Sequence, residues 1–195
     1  LGAAAIGALD DLRQSADRKG LAGHLGALRR GQVTTGSLKI LVLGASGIAG
    51  VALLDRSSAG LLDTALGAAV VAGSANLANL LDLRPGRALK AAGLALLPLL
   101  LTGPGSPVAA VAGGAAAALL PADLRGTSML GDTGANPLGG LVGLALVDRQ
   151  GRVGRVATVV VITGLTLASE RVSFTRVIES TPVLRELDAL GRPRR

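Results

Sequence analysis

The sequence predicts an all-α, polytopic bundle of transmembrane helices: six complete spans and one partial span, with polar clusters gathered at the cytoplasmic end. Three observations carry the prediction. Of the 195 residues, 49% are hydrophobic and 17% are charged. The apolar residues come in successive, nearly charge-free blocks, and turn-forming residues separate them. A soluble helix bundle needs a polar face for water on each helix, and blocks of this kind have none.

The first stretch, Leu1 to Leu9, is apolar and closes at Asp10-Asp11. Neither an initiator Met nor a basic leader region precedes it, so it reads as the tail of a helix that starts upstream. The chain is accordingly expected to be the later part of a longer protein whose first helices lie before residue 1. Six blocks follow, at 38–54, 61–81, 88–102, 106–120, 134–147 and 155–169. Several fall short of the ~20 residues that cross a bilayer, and flanking Arg and Lys can snorkel to lengthen them. Arg84-Pro85-Gly86, Gly103-Pro104-Gly105-Ser106-Pro107 and Arg149-Gln150-Gly151 read as turns between blocks.

Charge orients the spans. The alternate loops 10–39, 82–90, 121–137 and 170–195 hold 16 of the 20 Lys and Arg. By the positive-inside rule these loops and the C-terminus are cytoplasmic, with 170–195 as a tail. The 148–155 loop, with Arg149, Arg152 and Arg155, is the misfit. Residues 1–195 otherwise form one membrane-embedded domain.

Composition excludes several functions. There is no Cys, hence no disulfide and no thiolate metal site. His24 is the only His, so a multi-histidine site is excluded. With no Trp or Tyr and one Phe, there is no aromatic platform for nucleic-acid bases. The net charge of +7 then points to anionic lipid or a phosphorylated substrate rather than nucleic acid. Lys39 to Gly50 imitates a strand followed by a dinucleotide-binding glycine turn. The next segment is another apolar block rather than a helix and an acid-tipped strand, so close packing of small residues in a membrane helix is the better reading.

Three polar clusters stand out at the predicted cytoplasmic side, where polar residues beside spans are costly. Asp10-Asp11 can hold Mg²⁺, which prefers oxygen ligands, or supply a base or nucleophile; the pair also suits a solvated helix end. Asn76, Asn79 and Asp82 follow at three-residue spacing and share one helix face. They can grip a polar head group or bond between helices. In Gly131-Asp132-Thr133-Gly134-Ala135-Asn136-Pro137, Asn136 reads as an N-cap and Pro137 as the first helical residue. Asp132 would then sit in a turn before a helix end whose free N–H groups suit phosphate.

Taken in order, these clusters resemble the polyprenyl-phosphate N-acetylhexosamine-1-phosphate transferases. The matching pieces are Asp10-Asp11-Leu12-Arg13, Asn76 to Asp82 and Met129-Leu130-Gly131-Asp132-Thr133-Gly134, and the resemblance covers nearly the whole chain. It implies a bacterial plasma-membrane enzyme of cell-envelope synthesis. Such an enzyme transfers a sugar 1-phosphate from a UDP-sugar to undecaprenyl phosphate and releases UMP, with Mg²⁺ as cofactor. It also implies Asp10 and Asp11 as catalytic residues, Asn76, Asn79 and Asp82 as substrate contacts, and Asp132 with Asp11 as metal ligands. Membrane lipid is the surrounding partner, and a homodimer is left open. Lys19, Arg29, Arg30 and Lys39 are candidates for screening the two anionic substrates.

The sequence departs from the family's pattern in three places. Leu83 and Pro85 stand where the second motif usually has Gly and a second acid, Ala135 stands where Ser is usual, and the His-rich segment near the C-terminus is absent. In its place is a short helix started by Thr181-Pro182 and ended by Gly191. Val183, Leu184, Leu187 and Leu190 form its apolar face, suited to a membrane surface. These departures raise a second reading, a catalytically degenerate scaffold. A third, a small transporter, would need polar residues near mid-membrane. A shared site makes a geometric demand: Asp10 or Asp11 must lie within about 4–8 Å of Asp132, with Asn79 or Asp82 on the same wall.

Overall fold

A computed structural model of the chain describes residues 1–13, 30–31, 34–54, 60–102 and 106–193. The described residues are helical, with no strand among them. Seven longer helices come first: α1 (Gly2–Arg13), α2 (Thr35–Leu54), α3 (Leu61–Leu81), α4 (Arg87–Leu101), α5 (Pro107–Leu124), α6 (Gly131–Arg149) and α7 (Arg152–Arg171). Two short ones close the chain, α8 (Phe174–Ser180) and α9 (Pro182–Ala189). The segment from Lys39 to Gly50 is continuous helix within α2, so the dinucleotide-turn reading falls away.

Four helices, α2, α3, α5 and α7, are long and apolar enough to cross a membrane. The sequence expected six. With 15 residues, α4 is shorter than the ~20 that span a bilayer core. The 19 residues of α6 include Asp132, Asn136, Asp148 and Arg149. Packing explains that polarity, because α6 is the hub and touches α1, α2, α3, α4 and α5. A helix enclosed by other helices need not be lipophilic.

Small residues let the hub approach its neighbours. A Cβ on Gly139 would stand 2.7 Å from the Cα of Ala75, and one on Gly143 2.7 Å from the Cα of Val71. Gly47 of α2 lies as tightly on Ala68 of α3. Such close backbone contact is how helices associate where no hydrophobic effect drives them together. Larger side chains fill the remaining gaps. Leu89, Leu96, Leu138 and Val142 join α4 to α6, Val51, Val70 and Val147 join α2, α3 and α6, and Ile6, Leu43 and Ala75 join α1, α2 and α3. The outer surface is apolar as well, with Ile48, Leu53, Leu94, Leu97, Val160 and Val161 exposed. A water-facing surface would bury such patches, whereas lipid solvates them.

The misfit arginines are explained at the end of the bundle opposite the acidic clusters. The 148–155 loop contracts to Gln150 and Gly151, because α7 starts at Arg152. Arg152 grips both carboxylate oxygens of Asp63 at 2.8 Å. The buried Arg155 donates to the carbonyls of Gln150, Asp63 and Val147 at 3.2, 3.1 and 3.3 Å. Arg149 donates to the carbonyl of Thr102. These cations fasten helix ends together, so their position departs from the loop-charge rule for a structural reason.

Candidate functional site

The C-terminal ends of α1, α3 and α5 meet the N-terminal ends of α2, α4 and α6. All the acidic residues singled out from the sequence lie there. The centre is the first turn of α6, and here one expectation is corrected. Asn136 does not cap the helix and Pro137 does not begin it. The helix starts at Gly131, whose φ of +59° is one that glycine adopts freely. Its cap comes from another helix. The carboxylate of Asp11 accepts the backbone N–H of Asp132 at 3.0 Å, the N–H of Thr133 at 2.9 Å and the Thr133 hydroxyl at 2.6 Å. This is the bonding of an N-cap aspartate, delivered across a sequence separation of more than 120 residues. Those N–H groups are thus engaged by Asp11 rather than open to a phosphate. Asn136 is fully buried inside α6, and neither amide atom has a partner among the described residues.

Asp10, one residue earlier, faces differently. The ammonium of Lys39, one turn into α2, donates to Asp10 at 3.3 Å and to Asp132. Lys39 is 9% exposed, so it is an internal counter-ion rather than part of a screening loop. Of the other screening candidates Arg30 is exposed, while Lys19, Arg29 and the single His24 lie outside the described residues. The distance demand is met: Asp11 touches the backbone of Asp132, and Asp10 and Asp132 share one ammonium.

The donor set suits Mg²⁺. In phosphoryl-transfer sites Mg²⁺ is usually held by one or two carboxylates, and water and substrate phosphates complete its shell. Asp10 and Asp132 converge on one cationic point and provide that pair. Asp11 has both oxygens engaged at the end of α6, so Asp10 is the better placed of the adjacent acids. No group of three metal-ligating side chains occurs among the described residues.

Asp82 ends α3, where its own N–H bonds to the carbonyls of Ala78 and Asn79. Its carboxyl lies near the backbone N–H of Gly131, at the start of α6. Asn79 and Asn76 follow Ala75 and Ala72 by four residues, so they continue the stripe that packs on α1 and α2. Both are half-buried. The three positions rise along α3 in steps of ~4.5 Å, and Asp82 stands at the end that meets α6.

Sequence reasoning missed Asp123. It is 2% exposed, near the end of α5, because that helix runs through Pro121 to Leu124 rather than stopping at 120. One of its oxygens accepts the N–H of Gly86, the residue of positive φ that opens α4. The other has no partner among the described residues, and the same is true of one oxygen of Asp82. An acid at the end of an otherwise uncharged block was the available signal. A cleft of about 220 Å³ adjoins this region, lined by Leu119, Asp123, Met129, Leu130 and Thr133.

Burial and the charge of Asp123 push the Asp82 carboxyl up from the ordinary 3.8 to about 7. The Gly131 N–H opposes the shift, and Asp132 and Asp11 add to it. A raised folded-state value favours the protonated form, so its stabilisation is complete below pH 3.8. It is lost as pH rises toward about 7, because the unfolded carboxyl ionises first. The thermal midpoint in detergent is therefore expected to fall between pH 4 and 7, and Asp82→Asn should flatten that slope. An equally steep slope in the variant would assign it to another group.

Comparison with family models, curated proteins and solved structures finds no match for this chain.

Proposed function

We propose that the chain carries the catalytic site of a bacterial plasma-membrane phosphoglycosyl transferase with six complete spans and a cytoplasmic C-terminus. The reaction joins an oxygen of undecaprenyl phosphate to the sugar-bearing phosphorus of a UDP-sugar. It breaks the bridging P–O bond and releases UMP. The observation that carries this reading is the convergence of Asp10, Asp11, Lys39, Asp82 and Asp132, from four helices, at one end of an apolar bundle.

The contacts of Asp10, Asp11, Lys39 and Asp132 support a role for each. Asp11 fixes the first turn of α6 and thereby aims Asp132. Asp10 and Asp132 would hold Mg²⁺, which when bound offsets the charge of the phosphates and eases departure of UMP. Lys39 neutralises the two acids and can turn its ammonium to an incoming phosphate. Once Lys39 has turned, the oxygen of Asp10 that the metal would not take can accept the proton of the lipid phosphate. Asn76, Asn79 and Asp82 offer amides and a carboxyl to the nucleotide-sugar.

Asp132→Asn in the full-length protein is expected to lower Mg²⁺-dependent UMP release at least about 100-fold. Asp63→Asn, at the far end of the bundle, should leave it nearly unchanged. Equal loss in both would indicate misfolding and remove the support for a catalytic Asp132. For topology, Ser173→Cys is expected to label from the opposite side to Ser58→Cys, a position outside the described residues. Labelling from one side would remove the six-span arrangement.

The scaffold reading has one specific observation in its favour. The turn holding Leu83 and Pro85, where the family carries a second acid, is tied to the C-terminal helices: Arg84 pairs with Glu179 at 2.7 Å, and Arg192 bonds the carbonyl of Pro85 at 3.0 Å. UMP release with Mg²⁺ separates the two readings.

A further inference from the structure

The C-terminal helix α9 is oriented opposite to a helix on a water-soluble protein. Val183, Leu184, Leu187 and Leu190 share an arc of ~120°, and all four are exposed, by 41 to 68%. One of its two acids, Asp188, is turned inward, while Glu186 is exposed. Asp188 takes the guanidinium of the buried Arg87 at 2.7 and 3.1 Å, and Arg192 at 2.5 Å. Arg87 also donates to the Thr175 hydroxyl at 2.8 Å. Lys90 donates to the carbonyls of Leu187, Asp188 and Leu190 at 2.9, 2.5 and 3.2 Å, near the end of α9. Asp188 and the last carbonyls of α9 are thus held to the protein while the leucines face outward, and Arg185 and Glu186 stay exposed.

We propose that α8 and α9 form an interfacial clasp, with the apolar side of α9 seated in the membrane surface and its polar side fixing the Arg84–Gly86 turn beside the acidic cluster. Height along the bundle supports lipid as the occupant. Arg87 and Lys90 occupy the first turn of α4, and the exposed Leu94 and Leu97 follow seven residues after each of them, ~10 Å along the axis. The exposed face of α9 therefore lies about two helical turns from the apolar belt. The same stretch exposes Arg171, Arg176 and Arg185 together with Glu170, Glu179 and Glu186, so the seating rests on the apolar face and its height rather than on charge. The clasp also reaches the site. Arg192 holds the Pro85 carbonyl, and the next residue, Gly86, donates to Asp123. Leu124 fills the space against both Gly86 and Gly191.

The 195 residues contain no cysteine, and any cysteine outside them would be replaced by serine before labelling. Val183→Cys, Leu187→Cys and Arg185→Cys would be labelled in the full-length protein, reconstituted in phosphatidylcholine and phosphatidylglycerol vesicles. Positions 183 and 187 are expected to collide with oxygen several-fold more than with a water-soluble nickel chelate. Position 185, on the far side of the helix, should show the reverse. Nickel-rich collisions at 183 and 187 would overturn the membrane seating. Protection from both reagents would also overturn it, in favour of a protein partner or a second copy. Asp188→Ala should raise the mobility of the Leu187→Cys label at least two-fold; unchanged mobility would overturn the clasp. None of these readouts depends on catalysis, so the proposal can fail while the transferase reading stands.

Discussion

Replacing Gly7 with alanine is expected to dismantle the acidic cluster by levering α1 away from α6. A Cβ at this position would fall on the backbone of Asp132, with the Thr133 nitrogen 2.7 Å away. These are backbone atoms of a capped helix end, so neither side can yield by a rotamer change. Overpacking of this kind costs ~1–3 kcal/mol. Displacing α1 also removes the Asp11 cap, and a lost cap costs about 0.5–2 kcal/mol more. The thermal midpoint in detergent should drop accordingly. Asp11→Ala alone should reproduce only the capping share. A Gly7→Ala protein as stable as the parent would show that α1 is not seated where its contacts with Asp132 and Lys39 require.

Replacing Lys39 with methionine is expected to cost about 3 kcal/mol. Methionine keeps the length of the side chain and much of its volume but leaves Asp10 and Asp132 facing each other without a counter-ion. Removing one member of a buried ion pair costs ~3–5 kcal/mol. The lower end applies because both carboxylates keep some access to water, with side-chain exposures of 25 and 21%. Adding Asp132→Asn to Lys39→Met removes the second uncompensated charge and should recover part of the loss. If the double variant is less stable by the sum of the two single losses, the residues are not coupled.

Much of the bundle was legible in the sequence because membrane helices advertise themselves by uncharged length. The block at 61–81 became α3 without adjustment, and the others shifted by a few residues. The convergence of the acids was legible too, since Asp10, Asp82 and Asp132 all lie at block ends on the side that loop charge marks as one face. Helix starts were less legible. Asn136-Pro137 satisfies the local rules for a beginning, yet Asp11 caps the helix six residues earlier from another element, and no local rule sees a cap supplied across the fold. Lys39 was counted as one more loop cation, because a positive-inside tally cannot tell a screening charge from a counter-ion. Asp123 was hidden by Pro121, which reads as a terminator although the helix continues through it. Asp188 carries no local signal in the sequence, and only the approach of α4 to the C-terminal pair reveals its partner in Arg87.

The glycine contacts between the helices also bear on how such a sequence can drift. At Gly7, Gly47, Gly139 and Gly143 any side chain meets backbone, so a mutational survey should find these sites nearly closed to substitution. Leu94, Val160 and Val161 are exposed, and on a surface that faces lipid Leu, Ile, Val and Phe should exchange with little penalty. Tolerance would then run opposite to the usual expectation for a globular domain, with the smallest residues the most restricted and the bulky apolar ones the most replaceable. Descendants of this chain would diverge fastest in the residues that make it look hydrophobic, and two of them could share the same bundle while aligning at little more than scattered glycines and a few acids.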